Sequence, residues 1–211
     1  MGDKKLFIIR TVIIWIIIST ICNAYFMTFP RLIFRKRAYP ANYLITRNHR
    51  IAIQNNRECA AFSTAYVLRH FGLDADGEAL YVNFPSKLKS GNIYPKGIRT
   101  VLKNKGFHTN YYKGNIHTLK YEVSKGTPVI VFIKVRKDLN HLHFVPVVGY
   151  DKDYIYLAES LKDLVNNQDD NHHYNRKVPI AEFRALWNVK TIYMPFYSNT
   201  YITITQRYLK E

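Results

Sequence analysis

The sequence predicts an α+β domain of antiparallel sheet and helices behind one membrane-spanning helix. Three observations carry that prediction. Residues 11–29 (TVIIWIIISTICNAYFMTF) contain no charged side chain. Helical apolar spacings then follow between residues 59 and 124, and β-branched apolar runs bounded by turn residues dominate from residue 128 onwards.

The uncharged run is 19 residues long, close to the roughly 20 that span a hydrocarbon core as a helix. Trp15 and Tyr25 suit the interfaces. Lys4, Lys5 and Arg10 resemble the basic start of a signal peptide, and Cys22-Asn-Ala24 supplies small residues where cleavage would fall. The apolar run continues past that point through Tyr25, Phe26, Met27 and Phe29, which favours a retained single-span anchor. Ile21 before Cys22 is not a lipoprotein acceptor pattern. Three basic residues on one flank face four on the other (Arg31, Arg35, Lys36, Arg37), a slight lean towards a cytoplasmic soluble part. The expected organisation is an anchor or uncleaved signal over 1–30, a basic juxtamembrane linker over 31–50 and a soluble domain over 51–211.

The net charge of +16 suggests nucleic acid until it is divided. Residues 1–37 hold seven basic side chains and Asp3, so +6 belongs to the anchor and its flank, where anionic headgroups would meet it. The remaining +10 is spread over residues 38–211 with no basic stripe and no recognition-helix or finger spacing. A solvated basic surface without a nucleic-acid partner is expected. The 17 Tyr and 12 Phe argue for a packed core and against disorder.

In the soluble part, residues 51–53 approach Gln54-Asn-Asn-Arg-Glu-Cys59. Cys59 opens a helix in which Ala61, Ala65, Leu68 and Phe71 recur at helical spacing, with Gly72 as its stop. Further helices are expected near 97–104, ending at Gly106, and near 117–124, ending at Gly126. Strands are expected over 128–135, 142–150 and 154–158, with Asp151-Lys-Asp153 turning the last pair. Pro146 suggests an edge strand or a bulge. Residues 162–177 read as a polar loop, 180–187 as a short helix, and 191–196 and 201–208 as closing strands. Helices come first in this order, and strands after.

Cys59 is the only cysteine outside the apolar run, so it lacks an intradomain disulfide partner. At a helix start, free N–H groups and the positive end of the dipole stabilise a thiolate, as a nucleophile requires. A lone cysteine is also commonly a small buried hydrophobe. A nucleophile needs a base, and the base an orienter. His141 and His143 share one face at the start of an apolar strand, and His143 is the last polar residue before burial. The Asp151–Asp153 turn brings Glu159 back beside His143, where a carboxylate can hold the imidazole Nδ1–H. Gln54 can aim its amide at an oxyanion beside the Cys59 N–H, with Asn55 as a nearby substitute. His172 and His173 beside Asp169 and Asp170 could ligate a metal, but an Asn/Asp-rich loop is more often solvated, and no metal or cofactor is expected. His70, His108 and His117 form no pattern.

The order Gln54, Cys59, His143, Glu159 resembles the papain-like cysteine peptidases of the bacteriocin-leader-processing type, which cut after a double glycine, and their free-standing relatives. The likeness runs from about Ile51 to Trp187. It is carried by Q-x4-C, AAFSTAYVLRHFG, Gly97-Ile with KGF, Gly126-Thr-Pro-Val-Ile-Val, HFVPVVGYD and YLAES. The resemblance implies a papain-like fold in a bacterial membrane protein. It makes Cys59 the nucleophile, His143 the general base and acid, Glu159 the orienting carboxylate and Gln54 the oxyanion donor. It further implies a peptide or protein substrate and a separate export or processing partner.

The sequence departs from the family in three places. Ala60 replaces the usual Gly, Glu159-Ser160 replaces Asp-Pro, and the Gln-to-Cys spacing is one residue shorter than in papain-like enzymes. Ala60 and the Glu159 substitution keep open a catalytically degenerate module that binds peptides at the membrane, and a transferase using the same Cys-His pair is a third reading.

Overall fold

The structure is a computed structural model and describes residues 2–26, 28–33, 37–47, 50–139, 141–167, 173–189 and 196–206. Helix α1 (Gly2–Phe26) begins earlier than the uncharged run. At 1.5 Å per residue it is about 37 Å long, against a hydrocarbon core of about 30 Å. No residue of its Asp3–Cys22 segment is buried, and the segment is long and apolar enough to cross a membrane. Two short strands follow, β1 (Arg31–Leu32) and β2 (Tyr43–Leu44).

Helix α2 (Cys59–His70) buries nearly every side chain, because Ala60, Ala61, Ser63, Thr64 and Ala65 are small enough to let neighbours approach from all sides. It ends as expected at Gly72, whose φ of +83° lets its N–H reach Arg69 and the Leu73 N–H reach Leu68. Helix α3 (Gly77–Val82), in a stretch with no expected element, is capped by the Asp76 carboxylate on the Glu78 and Ala79 N–H groups. Helix α4 (Pro95–Asn104) starts with proline in its first turn and packs so tightly that a Cβ on Gly97 would lie 2.4 Å from the Pro85 carbonyl oxygen. Strand β3 (Phe107–Lys113) comes next, then α5 (Ile116–Val123), opened by a capping box between Asn115 and Thr118.

The remaining elements are β4 (Val129–Lys134), β5 (Leu142–Tyr150), β6 (Tyr154–Leu157), β7 (Arg176–Pro179), α6 (Ile180–Trp187) and β8 (Thr200–Gln206). The sheet order is β1-β3-β8-β4-β5-β6-β7, with β2 also on β5. Every pairing is antiparallel except β1 with β3. Apolar side chains cover both faces. Ile130 and Phe132 of β4 pack in one cluster with Ala61, Leu68, Ile98 and Leu102 of α2 and α4. Val129, Val131 and Ile133 pack in another with Leu119, Val123, Phe183 and Trp187 of α5 and α6. Burial on both faces explains why β4 reads as a continuous apolar run and not as an alternating one.

The α+β class holds, and its order is more interleaved than the sequence suggests. Strand β3 lies between α4 and α5, because its four polar residues hide the period-2 pattern that buries Phe107, Thr109 and Tyr111. The stretch read as one loop over 162–177 contains a 3-10 turn (Lys162–Leu164), and its end begins β7. The strand expected at 191–196 lies outside the described residues apart from Phe196, which is in a turn. Strand β5 is internal, so Pro146 marks no edge, but the register does shift between Val147 and Gly149. The Pro146 carbonyl accepts from Ala158 N–H, so the missing proline N–H faces the side where the ladder with β6 ends.

Candidate active site

Cys59 is the first residue of α2 and is half-buried. Glu58 before it gives no side-chain cap to the helix; its carboxylate instead accepts from the Asn55 N–H at 3.3 Å. The positive end of the helix is therefore open to a ligand at Cys59. One turn further on, the Ser63 hydroxyl donates to the Phe144 carbonyl of β5 at 2.9 Å. That bond joins the helix to the residue next to His143 and sets the height of the thiol against the imidazole.

His143 is 2% exposed and Glu159 wholly buried. Asp151 turns the chain between β5 and β6, its carboxylate accepting from the Asp153 and Tyr154 N–H groups at 2.8 and 2.6 Å. Glu159 then lies two residues beyond β6, with Oε1 2.7 Å from His143 Nε2. The carboxylate therefore meets Nε2 and not the expected Nδ1. Nδ1 is the ring nitrogen that remains, and Cys59 favours the charged form of the ring. The nitrogen that faces the acid is set by where the chain beyond β6 carries Glu159.

Every oxygen of the acid is engaged. Oε1 also accepts from the Leu161 N–H at 2.8 Å, and Oε2 accepts from Arg176 Nη1 at 2.9 Å. The Asn175 side chain clasps the Glu159 backbone, accepting from its N–H at 2.6 Å and donating to its carbonyl at 2.8 Å. Burial opposes the charged form of Glu159, but His143, Arg176 and the Leu161 N–H outweigh it and lower its pKa to about 2. Burial likewise opposes the imidazolium, but Glu159 and then Cys59 outweigh that cost and raise His143 to about 10. Both shifts favour the charged forms of the pair.

Gln54 is 7% exposed. Its Nε2 donates to the Asn56 carbonyl, and its Oε1 accepts from the Ser160 hydroxyl at 2.6 Å. The backbones of Gln54 and Ser160 are also joined, N–H to carbonyl, at 2.8 Å. Ser160, where the family has proline, thus ties the acid's strand end to the loop before the nucleophile. The Asn55 side chain donates to Glu78 at 2.9 Å.

A cleft of about 480 Å³ opens at Cys59, walled by Phe132, Phe144, Leu142 and Ile93 and edged by Arg57, Asn92 and His141. His141 is exposed at this edge. Among the described residues no group of three or more His, Cys, Asp and Glu side chains could hold a metal. His172, Asp169 and Asp170 lie outside them. Sequence reasoning missed Arg176, Asn175, Ser160 and Ser63. Of these only Ser160 carried a local signal, its place beside Glu159.

A helix starting at a cysteine, packed on an antiparallel sheet with a histidine on the facing strand, is the layout of the papain-like cysteine peptidase fold. The chain belongs to the Peptidase C39 family, which matches residues 47–196. Solved structures share the fold. One is the peptidase domain of Streptococcus ComA, a bi-functional ABC transporter of a quorum-sensing pathway, at 18% identity and a TM-score of 0.56 over 74% of this chain and 97% of that one. A second is a C39-like peptidase from Bacillus anthracis, at 16% identity and 0.58 over 80% of this chain and 99% of that one. A third is a double-glycine-motif protease from an AMS/PCAT transporter in complex with its leader peptide, at 18% and 0.50 over 78% and 98%. No curated protein sequence matches significantly.

Proposed function

We propose that this chain is a membrane-anchored cysteine peptidase that hydrolyses peptide bonds. The observation that supports this best is the buried His143–Glu159 pair at 2.7 Å, with a half-buried thiol at a helix start favouring the charged form of the ring. In this reading His143 holds the proton of Cys59, and the thiolate attacks a substrate carbonyl carbon at the cleft. The Cys59 N–H and the second N–H of the Gln54 amide receive the oxyanion. His143 passes its proton to the leaving amine as the C–N bond breaks, leaving a thioester. Water then attacks the thioester, His143 takes the water's proton and returns it to the sulfur, and the carboxylic acid departs. Glu159 keeps the ring oriented and its charged form favoured throughout.

Residues 1–30 act as a retained single-pass anchor, 31–50 as the juxtamembrane stretch and 51–211 as the catalytic domain. The substrate is a peptide, in keeping with the leader peptide bound by the AMS/PCAT relative, and a separate chain handles its export. A second reading is favoured by one observation: Gln54 already spends an N–H on Asn56. In that reading the fold binds peptides at the membrane without cutting them. The test is Cys59→Ala in a Cys22→Ser background. Peptide-library cleavage and thiol-probe labelling should both vanish with Cys59. Cleavage that survives Cys59→Ala overturns the peptidase reading, and binding without cleavage by the parent chain selects the module.

A further inference from the structure

Glu159 is wholly buried, and an isolated carboxylate at such a place takes up a proton instead of bearing charge. The charged groups that face it are His143 from β5 and Arg176 from β7, with Cys59 of α2 behind the imidazole. Arg176 is 5% exposed, and its Nη1 forms an ion pair with Glu159 Oε2 at 2.9 Å. Arg176 pairs across the ladder with Leu157, two residues before the acid, so the sheet register itself delivers the cation. Asn175, the preceding residue, holds the Glu159 backbone at both its N–H and its carbonyl. The two neighbours thus grip the acid at three points, one on the side chain and two on the main chain.

We infer that Arg176 is a positioning residue of the site: from β7 it binds Oε2 of Glu159 and so commits Oε1 to His143. The planar guanidinium fixes the carboxylate's rotation, which matters more for glutamate than for a shorter acid because one further torsion is free. Its charge also offsets the burial of the carboxylate. Without it the acid protonates at higher pH, becomes a neutral hydrogen-bond donor, and no longer supports an imidazolium. Asn175 and Arg176 together supply the rigidity that an Asp-Pro sequence would otherwise give this turn. The inference builds on the peptidase reading for its role in turnover, but the grip on Glu159 is testable without it.

The experiment compares the full chain with Arg176→Met and Arg176→Lys in detergent micelles. Two readouts are taken: the pH dependence of kcat and KM, and a carbon-13 titration of the Glu159 carboxyl assigned by difference against Glu159→Gln. Arg176→Met should lower kcat by about tenfold to a hundredfold at pH 6 with KM little changed, as when the partner behind a functional group is removed. The acid limb of the profile and the carboxyl titration should both move up by about 1–3 pH units. Arg176→Lys should recover part of both shifts. Should the methionine variant not fold, the lysine variant still tests the idea, with an intermediate shift expected. A uniform loss at every pH, with the Glu159 titration unmoved in either variant, would overturn the inference and leave Arg176 a structural residue. If the parent chain cleaves nothing, the peptidase reading fails, and the carboxyl titration alone decides Arg176.

Discussion

The two ends of the Cys59–His143–Glu159 line are built on opposite plans. At the cysteine end the side chain is half-buried, the helix start is uncapped by Glu58, and a cleft of about 480 Å³ adjoins it. At the glutamate end nothing is exposed, and both oxygens and both main-chain polar groups have partners between 2.6 and 2.9 Å. The contrast shows how one cluster can serve chemistry and folding at once. The glutamate end spends all of its hydrogen-bonding capacity, while the cysteine end leaves the start of α2 without a side-chain cap. Of the family departures, Glu159-Ser160 falls at the closed end, where added contacts absorb it. Ala60 falls at the open end, where it is buried in the first turn of α2.

The sharpest way to break this contrast is Glu159→Gln. It leaves the Arg176 guanidinium buried without its counter-charge, so the chain should lose about 3–5 kcal/mol of stability in denaturant titration. Peptidase kcat should fall by about 10⁴, as when an amide replaces the acid of such a triad. A variant as stable as the parent would mean the glutamate end is not closed as described.

A somewhat smaller effect should appear with pH. The folded-state pKa of Glu159 is depressed from 4.5, so its stabilisation is complete above that value and lost as pH falls towards about 2. That of His143 is raised from 6.5, so its stabilisation is complete below 6.5 and lost as pH rises towards about 10. Both describe one ion pair, counted once. The stability difference between the parent and Glu159→Gln should therefore be largest between about pH 4.5 and 6.5 and shrink on both sides. A difference flat across that range would contradict the ion pair.

The smallest effect expected is from Ser160→Ala. It removes the 2.6 Å bond to Gln54 Oε1 at a cost of about 1 kcal/mol. It should lower kcat by a few-fold, about the effect of one loosened donor, with KM unchanged. An unaltered kcat would take Gln54 out of the reacting centre.

What was legible in the sequence follows from how local each signal is. Strand β5 is legible to its observed ends because burial on both faces leaves a run from Leu142 to Tyr150 with no Asp, Glu, Lys or Arg and a single histidine, His143. The proximity of Glu159 to His143 followed from the hairpin, since the Asp151 turn fixes which residues return alongside. Which imidazole nitrogen faces the acid did not follow, because it depends on where the chain beyond β6 carries Glu159. Arg176 was hidden for a related reason. Among asparagines and aspartates an arginine reads as solvated, and its burial makes sense only once the distant Glu159 is beside it. Strand β3 carries His108, Asn110 and a final lysine, which mask its alternation, and α3 is too short for periodicity to show.

Strand β5 carries one further consequence. It is bonded to β4 from Leu142 to Val147, to β2 at Gly149 and Tyr150, and to β6 from Val147 on. His143 therefore sits on the strand with the most neighbours, and its amide should be among the last to exchange with solvent deuterium. Cys59, at a helix start, can open by local fraying of the first turn. Under heat or denaturant the molecule should lose its thiol's placement before its imidazole's, so that what remains at the threshold of unfolding is a sheet still holding an intact His143–Glu159–Arg176 chain.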